Sequence, residues 1–236
     1  MKNRVIILSL FVLILFTSLG FAFAEDNQTV SVSASKLEEL SLDDNVDVIS
    51  DSEITITDDN YDDYFNRYTG KFKNTVNNDI NTIKIGNVSE KLFTFDRPLN
   101  VMPSSGDVQI KNGVIHLING SSGSNITNLI INNTKGEIYA DGLFVSKLHG
   151  IWFTNSSDNY IFNNTIRIPL VEGCYAMPLG HSSRNKILYN DIVSECTSCL
   201  IMGLCDYNNI SYNKIRITNA KSMVTSNLIY FNCFIS

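Results

Sequence analysis

The residues best suited to bind a cation are carboxylates, and they crowd into one stretch of the chain. Residues 25–63 carry 13 Asp or Glu and a single basic residue, Lys36. A calcium loop of the EF-hand type needs Asp at alternating positions, Gly at the sixth position and Glu at the twelfth. The acidic pairs here do not follow that spacing, so we expect a solvated leader of low structure. These pairs are Asp43-Asp44, Asp58-Asp59 and Asp62-Asp63.

The histidines and cysteines also lack a metal-binding spacing. His116, His149 and His181 are scattered along the sequence. Cys196-x-x-Cys199 could belong to a zinc knuckle or a redox pair, but a zinc site needs a second pair of Cys or His ligands nearby. The chain has five Cys, so at least one thiol is unpaired or forms an intermolecular disulfide. We predict no metal ion and no cofactor.

Any functional side chain must be positioned by the repeat that dominates the second half of the chain. Three segments align without gaps on the pattern N-x-I-x-x-N-x-I, at intervals of 26 and 23 residues. Alternating apolar residues and turns of Asn, Ser, Asp and Gly predict about three short strands per repeat. A leucine-rich repeat would need an L-x-x-L-x-L frame, and a β-sandwich would show no fixed period. The aligned segments are 159–166, 185–192 and 208–215.

This period predicts a right-handed parallel β-helix, in which each repeat is one coil. Strands of neighbouring coils pair about 4.8 Å apart, so equivalent side chains stack in columns. Ile columns would fill the core, and Asn columns would form amide ladders at the corners. The predicted columns are Ile161, Ile187 and Ile210; Ile166, Ile192 and Ile215; and Asn164, Asn190 and Asn213.

Composition agrees with this architecture and excludes two others. The chain has 29 Asn and 28 Ile among 236 residues, whereas only 18% of its residues are charged. Asn and Ile are mediocre helix formers, which argues against a helical bundle. An acidic pI near 5.0 argues against a nucleic-acid partner, whose binding face is normally basic.

The columns do not gather catalytic groups. A polysaccharide lyase needs acidic calcium ligands and a base, and a glycosidase needs two or three carboxylates within about 5–10 Å. No column pairs two acids, so we predict no catalytic residues. Arg167 and Arg216 share a column with Val193 between them, and we expect solvated charges there. Asp158 shares a column with Arg184 and Tyr207, and Asp191 shares a column with Thr165 and Lys214. Asp206 shares a column with Ser157 and Ser183.

Trp152 is a candidate for a sugar-binding platform. It shares a column with Pro178 and Ile201. An indole in this column could stack on a sugar or pack outward beneath a loop, and the sequence leaves both interpretations open.

The N-terminal segment is typical of an exported protein. Residues 1–24 combine the basic Lys2 and Arg4, an apolar run over 5–19 and an A-x-A site ending at Ala24, which predicts a cleaved signal peptide. An uncleaved anchor is the alternative, although the run is short for a membrane span. No later run is long enough to span a membrane. Residues 25–56 would form the acidic leader.

Residues 57–80 are predicted to cap the β-helix, whose repeats would occupy 81–236. Thr57-Asp-Asp-Asn60 precedes Tyr61, Tyr64 and Phe65, a pattern typical of a capped helical turn with an aromatic face. Such a segment would cover the unpaired strand edges of the first coil. At the other end, residues 227–231 resemble the start of a further coil.

The chain resembles the secreted adhesin-like proteins of methanogenic archaea, within the pectin-lyase-like superfamily of right-handed β-helices. The resemblance covers roughly residues 54–235 and is carried by the opening 56–65, by the segments 83–86 and 93–98, and by the N-x-I-x-x-N-x-I repeats. It implies export, surface display and a binding role. It implies no established enzymatic activity.

We therefore expect a non-enzymatic protein that is secreted or lies at the cell surface. Its expected partners are extracellular glycans or the surface of a partner cell, and its oligomeric state stays open. A polysaccharide lyase or glycoside hydrolase is the alternative. A glycosylated wall component is a further interpretation, because eight N-x-S/T sequons exceed the roughly five expected by chance. They begin at Asn27, Asn87, Asn119, Asn125, Asn132, Asn155, Asn163 and Asn209.

Overall fold

The structure, a computed structural model, describes residues 52–195, 198–218 and 227–232. Within them the chain is almost entirely β, with one short helix, α1 (Tyr61–Tyr64). No helix of this described part is long and apolar enough to cross a membrane. Up to the middle of the chain the strands are β1 (Ser52–Ile56), β2 (Ile80–Ile85), β3 (Val88–Ser89), β4 (Leu92–Phe95), β5 (Asn100–Pro103), β6 (Ile110–Lys111), β7 (Val114–Leu117), β8 (Asn125–Thr127), β9 (Ile130–Asn132), β10 (Glu137–Ala140) and β11 (Leu143–Lys147). The later strands are β12 (Ile151–Thr154), β13 (Tyr160–Phe162), β14 (Thr165–Ile168), β15 (Met177–Gly180), β16 (Lys186–Leu188), β17 (Asp191–Ser194), β18 (Ser198–Gly203), β19 (Asn209–Ser211), β20 (Lys214–Ile217) and β21 (Asn227–Asn232).

Three parallel sheets form the walls of a solenoid, and successive strands pass from the first sheet to the second and then to the third. The first sheet contains β1, β2, β5, β8, β13, β16 and β19; the second contains β3, β6, β9, β14, β17 and β20; the third contains β4, β7, β12, β15, β18 and β21. The molecule is a right-handed parallel β-solenoid of about seven turns, which confirms the predicted all-β fold class.

The strand register reproduces the predicted columns of isoleucine. One column pairs Ile161 with Ile187 and Ile187 with Ile210 in the first sheet. The members of the second column pair with one another in the same way in the second sheet. Members from the inner coils are fully buried, and each such side chain contributes about 1.5–3 kcal/mol to folding. The second column consists of Ile166, Ile192 and Ile215.

The predicted asparagine ladder lies at the turn between the first and second sheets. The Nδ2 of Asn164 donates to Oδ1 of Asn190 at 3.0 Å, and Asn190 donates to Asn213 at 2.9 Å. A second ladder occupies the turn between the third and first sheets, with equivalent bonds of 2.9 and 3.0 Å. Both ladders satisfy buried polar groups, which would otherwise be costly. The second ladder consists of Asn159, Asn185 and Asn208.

The solenoid begins earlier than the sequence suggests. Strand β1 pairs in parallel with β2, although its residues fall in the segment predicted as a low-structure leader. The rest of that leader, 25–51, and the predicted signal peptide, 1–24, lie outside the described residues. Helix α1 falls within the predicted cap segment 57–80, and Tyr61 and Phe65 are buried there. The Phe65 ring packs against Phe93 of β4 with centroids 5.3 Å apart.

The cap also covers the outer edge of the third sheet. The backbone N–H of Thr94 in β4 donates to the carbonyl of Gly70 at 2.8 Å. The hydroxyl of Thr94 donates to the carbonyl of Thr69 at 2.8 Å. These bonds occupy groups of β4 that would otherwise form an exposed strand edge, which is a risk for aggregation.

A β-hairpin interrupts the solenoid between β9 and β12. Strands β10 and β11 pair in an antiparallel fashion. They are joined by Asp141-Gly142, whose φ angles are 50° and 79°. Two consecutive residues with positive φ fit the type I′ turn, which matches the twist of a hairpin.

The hairpin packs on the outer face of the third sheet. There Ile138 and Leu148 form a second hydrophobic core with Leu92 and Val114, and Trp152 packs against it. Of the two interpretations of Trp152, the structure shows outward packing beneath an inserted segment.

Candidate functional site: the hairpin groove

Two adjoining cavities lie beside the hairpin. One has a volume of about 420 Å³ and lies between the hairpin, α1 and the turn that joins β3 to β4. The other has a volume of about 570 Å³ and follows β10 towards Val171. Glu90 and Tyr139 line both cavities. We call the two cavities together the hairpin groove.

Arg67 is the central charge at the cap end of the groove. Its guanidinium lies 2.5 Å from a carboxylate oxygen of Asp62 in α1 and 3.6 Å from one of Asp141 at the hairpin tip. The hydroxyl of Tyr68 donates to the same Asp141 carboxylate at 2.5 Å, and this bond raises the pKa of Tyr68. Lys91 lies 3.8 Å from Asp58 and stacks over the ring of Tyr61. These contacts tie the hairpin tip to the cap.

The opposite end of the groove is also compensated in charge. Lys135 forms an ion pair with Glu90. Lys147 of β11 lies 2.5 Å from Glu137 of β10, and the hydroxyl of Tyr139 donates to the same carboxylate at 2.5 Å. The hydrogen bond from Lys147 lowers the pKa of Glu137, and the bond to Glu137 raises the pKa of Tyr139. Every carboxylate that lines the groove therefore has a cationic partner.

Apolar side chains stand exposed along the hairpin wall. Tyr139 is 53% exposed, Phe144 is 56% exposed and Leu143 is 63% exposed. The rings of Tyr139 and Phe144 form a cross-strand edge-to-face pair with centroids 6.0 Å apart. An aromatic ring beside paired polar groups can bind a ligand that has both an apolar face and hydroxyl groups.

An imidazole and indole cluster lies beneath the hairpin, on the third sheet. The His116 ring stacks on Trp152 with centroids 3.8 Å apart and an interplanar angle of 4°. His149 meets the same indole edge-to-face at 5.1 Å and stacks on Tyr175 at 5.8 Å. The three histidines are scattered along the sequence, but the fold brings His116 and His149 together against Trp152.

Burial shifts both imidazoles towards the neutral form. Loss of hydration, together with smaller effects of His149 and Lys71, lowers the pKa of His116 to about 4. Burial likewise lowers the pKa of His149 to about 4. The Nε2 of His116 lies 2.9 Å from the hydroxyl of Thr154. No group of three His, Cys, Asp or Glu residues in 52–195 and 198–218 is arranged to hold a metal ion. Cys196 lies outside the described residues.

The charged columns form ion pairs across neighbouring coils. Arg184 binds Asp158 through two hydrogen bonds of 2.7 Å. Arg167 and Arg216 approach Asp191 at 3.2 and 3.3 Å. Asp191 therefore pairs with both arginines, and the columns bring no second acid to this position.

The structure brings together acids that the column alignment did not pair. Asp62 belongs to the cap and Asp141 to the inserted hairpin, and both contact Arg67. Neither segment belongs to the repeat, so no column relates them. The available sequence signal was Asp141-Gly142 between two alternating segments, a strong hairpin pattern. It would have predicted the hairpin but not the element on which it packs.

Comparisons with known protein families, with curated proteins and with solved structures found no match to this chain. The structure itself shows a right-handed parallel β-solenoid. Beside the one hairpin that is inserted in its described part lies a groove with an aromatic wall and paired charges.

Proposed function

We propose that the chain is a non-enzymatic, adhesin-like β-helix protein that binds carbohydrate in the hairpin groove. The observation that carries this proposal is the exposed Tyr139 ring, which lines both cavities beside side chains able to donate and accept hydrogen bonds. A pyranose presents C–H groups on its faces and hydroxyls around its rim. Tyr139 can pack against the first, while Glu90, Lys91 and Ser89 can bond to the second.

Charge balance favours a neutral glycan over an anionic polymer. The pairs Asp62–Arg67, Glu90–Lys135 and Glu137–Lys147 neutralise one another across the groove. An anionic polymer would instead gain affinity from a surface of net positive charge. Hydroxyl groups can bond to paired carboxylates and ammonium groups without requiring either ion to lose its partner.

Replacing Tyr139 with alanine is expected to weaken glycan binding about tenfold, which corresponds to about 1.4 kcal/mol. The substitution removes the ring that would cover the sugar face but leaves the ion pairs of the groove. The measurement is a glycan-array screen of the exported chain, followed by calorimetric titration of the strongest neutral oligosaccharide. Tyr189→Ala is the matched control, because Tyr189 is 48% exposed at a turn outside the groove.

Equal losses in the two variants would show that the groove is not the binding site. A wild-type chain that binds no glycan on the array would refute carbohydrate binding altogether. Tyr139→Phe provides a second comparison, since it keeps the ring and removes only the hydroxyl that donates to Glu137.

A glycoside hydrolase is the second candidate, because one observation favours it over a lyase. Asp62 and Asp141 share the guanidinium of Arg67, which brings two carboxylates to one site, as a glycosidase requires. A general acid must keep its proton near neutral pH, usually through burial or a nearby negative charge. Both carboxylates are instead about half exposed and face a cation, so the geometry suits binding better than catalysis.

The catalytic alternative predicts new reducing ends when the wild-type chain is incubated with the polysaccharides it binds. Asp141→Asn would abolish such activity if Asp141 were catalytic. Binding without release of reducing ends would leave the non-enzymatic function standing.

Export and surface display belong to the same proposal and rest on the sequence pattern of residues 1–24. Fractionation of native cells is expected to recover the chain in the wall or the medium, with Glu25 as its first residue. Recovery of a chain that still begins at Met1 in the cytoplasm would contradict it.

A further inference from the structure

We propose that His116 and His149 make the hairpin a pH-sensitive wall of the groove: when both imidazoles take up protons, the hairpin leaves the third sheet and the groove opens. The consequence for ligand release rests on the proposed function. The movement of the hairpin does not, since it depends only on contacts within the chain.

The two histidines lie where the hairpin meets the solenoid. Trp152 packs against the core formed by Ile138 of the hairpin with Leu92 and Val114 of the third sheet. His116 covers one face of this indole, and His149 meets its edge. His149 is only 8% exposed and directly follows Leu148 of that core. Charging either ring would place a cation inside an apolar interface, which is unfavourable unless the cation is paired.

The surrounding polar groups do not offer such pairing. Lys71 of the cap acts on His116, and Lys147 of the hairpin acts on His149. A positive charge on one imidazole also disfavours a positive charge on the other. The carboxylate of Glu137 is already bound by Lys147. The charged side chains that act on the two imidazoles, Lys71 and Lys147, are therefore both cations.

Tyr175 fixes the His149 ring in place, although a backbone hydrogen bond with Tyr175 offsets part of the decrease in the pKa of His149 that burial causes. The Nδ1 of His149 accepts the backbone N–H of Tyr175 at 3.2 Å, and its ring stacks on the Tyr175 ring. A proton placed on Nδ1 would face this N–H directly. Protonation would therefore break a contact that fixes the imidazole beneath the hairpin.

The direction of the effect follows from linkage. The docked hairpin holds both imidazoles at a pKa of about 4, whereas a released, hydrated histidine has a pKa of about 6.5. The released form therefore binds more protons between pH 6.5 and 4, and docking weakens as the pH falls through that window. Across this pH window, protonation of each histidine shifts the docking equilibrium towards the released hairpin by roughly 100-fold or more. Above pH 6.5 the hairpin stays docked.

Trp152 provides the readout, because it is the only tryptophan in the chain. Titration of the full chain from pH 7.5 to 4 is expected to shift Trp152 emission to longer wavelength, while the far-UV circular dichroism of the solenoid persists. The double variant His116→Gln/His149→Gln should keep the pH 7.5 emission throughout the titration. His181→Gln is the matched control, since His181 is exposed at a turn, and it should titrate like the wild type.

Hydrogen exchange of the wild-type chain tests the same step without any substitution. Amides of β10 and β11 are expected to lose protection at pH 4.5 relative to pH 7.5, after correction for intrinsic rates, while amides of β16 keep theirs. Equal protection of the hairpin at both pH values would overturn the proposal. So would loss of the solenoid signal at the same pH as the tryptophan shift.

Glycan titration separates this proposal from the function it would regulate. Hairpin opening in a chain that binds no glycan at pH 7.5 would refute the binding function and leave the switch standing. Glycan binding that persists unchanged at pH 4.5, with a docked hairpin, would refute the switch and leave the function standing.

Discussion

Replacing Asn190 with alanine is expected to lower the free energy of unfolding by about 3–5 kcal/mol. Asn190 is 1% exposed. Its Oδ1 accepts bonds from both the backbone N–H and the side-chain amide of Asn164, and its Nδ2 donates to the carbonyl of Ile161. Alanine would remove all three bonds from the interior of the solenoid, and each buried polar group left without a partner costs about 1–3 kcal/mol.

Denaturant unfolding, followed by circular dichroism, measures this loss against a control in the next repeat. Asn209→Ala changes an exposed asparagine outside both ladders and should stay within about 0.5 kcal/mol of the wild type. If the two variants lost equal stability, the amide ladder would not be the reason for asparagine at position 190.

The same ladders limit what asparagine can reveal about function. Asn164, Asn190 and Asn213 have their amide groups bonded within the solenoid, so they are not available for a ligand. Abundant asparagine on a β-helix is therefore weak support for carbohydrate binding. The proposed function rests instead on Tyr139 and the ion pairs of the hairpin groove.

The core could be predicted from the sequence because stacking repeats the same environment in every coil. Ile161 and Ile187 occupy equivalent places, so a column alignment identifies both the fold and the register. The same alignment set Asp158 beside Arg184, and these residues form an ion pair.

The groove could not be predicted in this way, since its walls do not repeat. Tyr68 and Asp141 form a hydrogen bond across 73 positions of the chain, and neither residue belongs to a column. Their meeting depends on where the hairpin packs, which is decided by Ile138, Leu148 and Trp152 on the third sheet. The sequence therefore left Trp152 with two interpretations until the hairpin was placed.

The close stacking of successive coils leads to the second large effect that we expect on stability. Gly120 lies in the turn between β7 and β8, with φ +101°, and a Cβ at this position would lie 2.2 Å from the carbonyl oxygen of Asp96 in the preceding coil. We expect Gly120→Ala to destabilise the chain by about 3–5 kcal/mol, from backbone strain of about 1–3 kcal/mol and a comparable cost of overpacking.

Gly123 separates these two contributions, because it lies in the same turn at φ +87° and a Cβ at this position would have no atom within 4 Å. Gly123→Ala should therefore show the strain alone, about 1–2 kcal/mol. The turn has little freedom to move away, since Ser121 is buried and its hydroxyl bonds to Ile118 and Ser156. Equal losses in thermal unfolding of the two variants would mean that the coils can separate at this turn. A larger loss for Gly120→Ala would show that contact between successive coils, and not turn geometry alone, requires glycine at position 120.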